Sequence, residues 1–137
     1  MYRKILVGFD GSEASNRAFE FALQRAAKDG AELFVMAVAE RHLIAGEVES
    51  RAALDESIEN FMSSFASLRA VTVATGVKVK FEVAVGNSAD QLVRYADRYG
   101  VNLIVVGQNR SAIRQSLFGS VSQKVARYPG CPVHVVD

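Results

Sequence analysis

A single cysteine, Cys131, stands in a chain of 137 residues, so no internal disulfide can form and nothing points to an oxidising compartment. Its setting, Pro129-Gly130-Cys131-Pro132 ahead of an apolar run, suits a small buried residue better than a reactive thiol. Net charge is nearly absent too: 16 Lys and Arg oppose 15 Asp and Glu, leaving +1. The cations are interleaved with acids, so no basic stripe forms and nucleic acid is not expected as a partner. No stretch approaches the ~20 apolar residues of a membrane span. The run Ile5-Leu6-Val7 behind Met1-Tyr2-Arg3-Lys4 is too short for the core of a signal peptide. The expectation is a cytoplasmic protein with no membrane partner. Only two histidines occur, His42 and His134, without metal-ligand spacing, and no helix face carries paired carboxylates.

What is present is a globular composition, 50% hydrophobic and 23% charged, of a length that makes residues 1–137 one domain with a real core. Ile5 to Phe9 reads as a short buried strand, ended by Asp10-Gly11-Ser12, where Asp10 or Ser12 can cap a helix. That helix carries an apolar stripe of Ala18, Phe19, Ala22, Leu23 and Ala26, and Gly30 stops it. Leu33 to Ala39 is a second buried strand, and Arg41 to Val48 reads as a loop. Leu54, Ile58, Phe61, Phe65 and Leu68 then mark one face of a helix from about Val48 to Ala74. That stripe is either a partner surface or, more simply, the face packed on the sheet.

Lys78 to Val83 alternates polar with apolar residues, as expected of a sheet edge protected by lysines. Asn87 or Ser88 caps a helix bearing Leu92, Val93 and Ala96, with Gly100 beyond its end. Leu103 to Val106 is a wholly apolar central strand. Gln108 to Phe118 reads as a loop, Gly119-Ser120 opens a helix to about Arg127, and Val133 to Val136 is the last strand. The alternation predicts an α/β fold: a doubly wound, five-stranded parallel sheet with helices on both faces. With the lysine-bearing third strand at one edge, the order is 3-2-1-4-5. Strands 1 and 4 then flank the topological switch point, where ligands bind.

Several chemistries fail at that crevice. There is no G-x-x-x-x-G-K for a Walker A loop. The first turn is Gly8-Phe9-Asp10-Gly11 and not G-x-G-x-x-G, and its carboxylate would repel pyrophosphate. Glu40 stands where a ribose-binding acid might be sought, although one acid at a strand end is usually solvated. A phospho-acceptor receiver needs an aspartate after strand 3, where Val85-Gly86 stands. What survives is the loop from Gly107 to Ser120. Gly107 lets the chain leave strand 4 without a side chain in the cleft. Gly119-Ser120 offers N–H groups and a hydroxyl at a helix start that favours an anion. Arg110 and Arg114 can add charge-assisted contacts. The plain alternative is an N-cap beside a surface loop.

Taken together the residues resemble the universal stress protein family across essentially the whole chain. The likeness rests on Ile5 to Ser12, on Asp90-Gln91-Leu92 ahead of Asn102 to Gly107, on Gly119 to Val125 and on Cys131 to Val136. Nucleotide-binding members carry G-x2-G-x9-G-[S/T] after strand 4. Gly107 and Gly119-Ser120 match its ends, Arg110 replaces the middle glycine, and the run to Gly119 is one residue short. The resemblance implies a small-protein, short-loop subgroup and an ATP site, with or without Mg. Asp10, Val38 and Val106 would line its nucleoside end. The implied set is Gly8, Phe9, Asp10, Val38, Val106, Gly107, Asn109, Arg110, Gly119, Ser120, Val121 and Ser122, with no catalytic or metal-ligating residue.

The expected function is an adenine-nucleotide-binding regulator of the stress response, with at most a weak, Mg-dependent ATP hydrolysis. The alternatives are a nucleotide-free dimeric interaction module and a true enzyme such as a phosphotransferase. In the 3-2-1-4-5 order Val133 to Val136 is an edge strand without lysine, which predicts a homodimer through that strand. The alternative is a monomer in which the preceding loop covers the edge.

Overall fold

The computed structural model describes residues 1–40, 47–108 and 117–137. The elements alternate: β1 (Lys4–Gly8), α1 (Glu13–Asp29), β2 (Glu32–Ala39), α2 (Glu47–Val73), β3 (Val79–Val85), α3 (Ser88–Tyr99), β4 (Leu103–Gly107), α4 (Leu117–Ala126) and β5 (Val133–Val136). The five strands form one sheet in the order β3-β2-β1-β4-β5, and every neighbouring pair is parallel. This is the doubly wound architecture predicted.

The apolar strands sort their side chains by alternation, since successive residues point to opposite faces. Ile5, Val7 and Phe9 join Leu33, Val35 and Ala37 on the side covered by α1 and α2. Leu6, Phe34, Met36, Ile104 and Val106 face α3 and α4. Unbroken apolar runs follow, because β1, β2 and β4 are covered on both sides. β3 alternates between half-buried and exposed over its first residues, the signature of an edge with one solvated face.

The stripe on α1 is buried as expected: Ala18, Phe19, Ala22, Leu23 and Ala26. On α2, Phe65 is fully buried, and Phe61 and Leu68 pack against the same core, so that face belongs to the sheet. Ser12 caps α1, its Oγ accepting from the Ser15 N–H at 3.1 Å, and Asn87 caps α3 by accepting from the Asp90 N–H at 3.1 Å. Gly30 and Gly100 close these helices in the left-handed conformation.

Two boundaries differ from the sequence reading. α2 begins at Glu47, inside the segment expected to be a loop. Glu49 is a carboxylate in its first turn, where the helix dipole favours it. α4 begins at Leu117, ahead of the Gly119-Ser120 expected to open it. Leu117 and Phe118 bring no turn chemistry, and leucine is a strong helix former. The remainder of both expected loops, residues 41–46 with His42 and residues 109–116, lies outside the described residues.

Behind α4, the Tyr128 hydroxyl donates to Asp97 Oδ1 on α3 and ties that helix to the turn before β5. This hydrogen bond, with burial, pushes the Tyr128 phenol up to about 12. Cys131 is half-buried beside them. Burial first, then the Asp97 charge, raises its thiol, so it is a poor nucleophile at neutral pH. His134 lies exposed on β5 with its ring stacked on Phe21 of α1, centroids 4.2 Å apart.

Candidate functional site

The crevice is built at the C-terminal ends of β1 and β4, where the strand order reverses. In register, Val7 of β1 stands beside Val105 of β4, which brings Phe9 level with Gly107. The Phe9 N–H donates to the Met36 carbonyl at 2.9 Å and carries the β1–β2 ladder past the end of the strand. Its side chain drops into the α1/α2 core, with ring centroids 6.0 Å from Phe65. With Phe9 pinned from below and along the ladder, Asp10 is fixed at the rim.

Asp10 is half-buried, and its Oδ1 accepts from the Ser12 N–H at 2.9 Å, closing a tight turn around Gly11, whose φ is +86°. Its Oδ2 has no partner among the described residues. Ser12 then caps α1, and the Ser15 hydroxyl donates to the Ser12 carbonyl at 2.9 Å. Val38 lies two residues past the Gly8–Met36 pair, as Asp10 does, and is half-buried on the α3/α4 side. The rim therefore offers one carboxylate oxygen beside a small aliphatic wall. That combination suits hydroxyl or amino donors of a nucleoside and repels a phosphate.

Gly107 has a different reason for being glycine than the one expected. A Cβ there would sit 2.4 Å from the Ala14 carbonyl oxygen and 2.9 Å from the Ser15 nitrogen. The space is taken by the first turn of α1 and not left open for a ligand. The glycine lets α1 cross the end of β4 closely, which places Ser12 and Asp10 at the crevice. Gln108 then donates its N–H to the Val136 carbonyl at 2.7 Å, so the chain leaves β4 still paired to β5.

Of the other expected site residues, Phe9 and Val106 are sealed in the cores on opposite faces of the sheet, and their side chains line nothing accessible. Only their backbone can meet a ligand. Val121 and Ser122 are buried, with Val121 packed in the α3/α4 core. Gly119 is the last residue of α4 whose backbone N–H lacks an intrahelical acceptor, and Ser120 follows it in the first turn. Asn109, Arg110 and Arg114 lie outside the described residues.

One contact was missed in the sequence reading. Glu40 is half-buried at the end of β2, and its Oε1 accepts from the Ser88 N–H at 3.3 Å. It fastens the start of α3 instead of standing free in solvent. The partners are 48 residues apart, and no local pattern announces the pair.

Among the described residues no group of three or more His, Cys, Asp or Glu side chains comes together as a metal site, and no helix is long and apolar enough to cross a membrane.

A parallel sheet of this order with a turn carboxylate at its switch point defines a doubly wound α/β protein of the kind that binds small molecules at the strand ends. The chain belongs to the universal stress protein family, whose model it matches over residues 1–137. It is 30% identical over 147 aligned positions to the universal stress protein YxiE of Bacillus subtilis, with 99% of each chain covered. The fold is shared with the universal stress protein UspA of Lactobacillus plantarum at a TM-score of 0.88 and 22% identity, covering 99% and 98% of the two chains. A universal stress protein solved in complex with cAMP superposes with a TM-score of 0.66 at 27% identity, covering 99% and 97%.

Proposed function

We infer that this protein binds an adenine nucleotide at the β1/β4 crevice and acts as a regulatory component of the stress response. The observation that carries the reading is the fixed Asp10 carboxylate at the switch point, with Oδ1 committed to the turn and Oδ2 without a partner among the described residues. The likeness to a family member in complex with cAMP supports an adenine ring as the ligand class. ATP, with Mg²⁺ on its phosphates, is the proposed form. The nucleoside meets Asp10 and Val38, and the phosphates extend toward the first turn of α4 at Gly119-Ser120, with Arg110 neutralising charge. No group in the described crevice is placed as a base or nucleophile, so the proposed role is binding, with at most weak hydrolysis, in the cytoplasm.

The test is calorimetric titration of the whole protein with ATP, ATP·Mg, AMP and cAMP. Binding of at least one of these below millimolar concentration is expected. Asp10→Asn keeps an acceptor for the Ser12 N–H but turns the other oxygen into a donor. Loss of one hydrogen bond to a charged group, about 1.5–3 kcal/mol, should weaken affinity roughly tenfold or more. No adenine nucleotide bound at millimolar concentration would leave the nucleotide-free dimeric module as the function.

The proposed assembly is a homodimer through β5. In the β4–β5 ladder the Pro132 and Val136 carbonyls accept from Ile104 and Gln108, so even-numbered residues face β4. Val133 and Val135 therefore turn their N–H and C=O groups outward along the free edge. Both are half-buried, ready to be covered by a second copy. Val135→Pro removes an outward N–H and leaves the β4 ladder whole. Light scattering at micromolar concentration should read twice the 14.9 kDa chain mass for the parent and the single mass for the variant. The single mass for the parent would refute the β5 dimer.

A further inference from the structure

The opposite edge of the sheet has an unused face and a charge pattern that selects one partner. β3 pairs only with β2. The Lys78 carbonyl accepts from the Leu33 N–H, and the Gly86 N–H donates to the Ala39 carbonyl. Even-numbered residues of β3 thus direct their backbone groups to β2, and Val79, Phe81 and Val83 direct theirs outward. On the α3/α4 side α3 flanks the strand, with Tyr95 reaching Glu82, and leaves Lys80 open. A groove of about 500 Å³ wraps the edge, lined by Phe34, Lys80, Glu82, Tyr95 and Tyr99 on this side and by Val79, Phe81 and Arg69 on the other. Lys80 and Glu82 are exposed and form no ion pair among the described residues, and Glu82 accepts a hydrogen bond from the Tyr95 hydroxyl.

Lysines on an edge normally discourage strand addition. Here they discourage most registers and leave one. Outward backbone groups meet only if a second β3 runs antiparallel about a two-fold axis with side chains matched face to face. Centring the axis on Val79 opposes Lys78 to Lys80 of the second copy. Centring on Lys80 sets two lysines against each other, and centring on Glu82 sets two carboxylates against each other. Centring on Val83 gives Glu82 only Ala84 as a neighbour. Centring on Phe81 opposes Lys80 to Glu82 of the second copy on both sides of the axis and opposes no like charges along the strand. It also sets Val79 against Val83 on the other face, a β-branched pair of the kind that stabilises sheets. The two residues flanking Phe81 are complementary to themselves reversed.

We propose that β3 is a second self-association edge, on which another copy of this chain pairs antiparallel about Phe81 with Lys80 facing Glu82. The crevice at the ends of β1 and β4 stays open in this arrangement, because pairing occupies the lateral edge of the sheet. With pairing at β5 as well, the sheet continues from copy to copy.

The experiment is sedimentation of the full chain from micromolar to millimolar concentration in the Val135→Pro background, where β5 pairing is blocked. A concentration-dependent dimer should remain. Lys80→Glu or Glu82→Lys alone places like charges across the axis twice and should weaken dimerisation at least about tenfold. The double variant Lys80→Glu/Glu82→Lys restores opposite charges and should restore the parent affinity. Raised salt should weaken the parent and relieve the single variants. Both residues are exposed, so the fold tolerates the changes, and circular dichroism confirms this. A monomer at every concentration, single variants that associate like the parent, or a double variant that fails to recover would each overturn the proposal. The first of those outcomes leaves the edge to a strand from another protein.

Discussion

Gly107→Ala is expected to lower stability by about 3 kcal/mol, the upper end of what overpacking costs, and the melting temperature by roughly 10 °C. The size follows from what the new methyl group meets. Its nearest neighbours are the Ala14 carbonyl oxygen at 2.4 Å and carbon at 2.5 Å, backbone atoms in the first turn of a 17-residue helix. A flexible side chain could swing aside. A helix terminus can only step back as a unit, drawing Ser12 and Asp10 with it. Nucleotide affinity should therefore fall together with stability, although Gly107 offers no side chain to a ligand. Gly11→Ala makes the contrast, since nothing lies within 4 Å of its added carbon. Its cost is left-handed strain alone, about 1–2 kcal/mol. Thermal unfolding of the two variants side by side decides the matter. Equal shifts would mean that the α1–β4 contact yields easily and that Gly107 is not fixed by packing.

Such packing constraints are what the sequence leaves hidden. Strand order was legible because three strands are unbroken apolar runs, and Lys78 and Lys80 mark the one that is not. Caps at Ser12 and Asn87 were legible because hydroxyl and amide side chains ahead of an apolar stripe satisfy the free N–H groups of a helix start. These are local signals. The role of Gly107 was misread because the atoms that forbid a side chain there belong to a helix more than 90 residues earlier in the chain. Glu40 was misread for the same reason, its partner being the backbone of Ser88. The place of Asp10 in the turn after β1 was legible, but the division of labour between its two oxygens needed the turn geometry. Val106 was placed at the nucleoside end by the family resemblance, whereas strand alternation buries its side chain under α3 and α4.

Phe65→Ala should have the largest effect of any single truncation, about 3–5 kcal/mol. Phe65 is fully buried at the meeting of α2 with the sheet, its ring 6.0 Å from Phe9 and 5.0 Å from Phe81. Removing it opens a cavity between α2 and the strands that carry Phe9 and Phe81. The loss should reach the crevice, since Phe9 is held from beneath by Phe65 and itself fixes the rim residue Asp10. It should also reach the β3 edge, since Phe81 loses a ring neighbour on its inner side, with Arg69 stacked 4.9 Å from its ring centre. Phe65→Leu keeps most of the volume and should cost less than half as much. Urea unfolding of the three proteins, followed by nucleotide titration under conditions where each is folded, separates the effects. A Phe65→Ala protein within about 1 kcal/mol of the parent would show that α2 is loosely docked, and the coupling from α2 through Phe9 to Asp10 would fall with it.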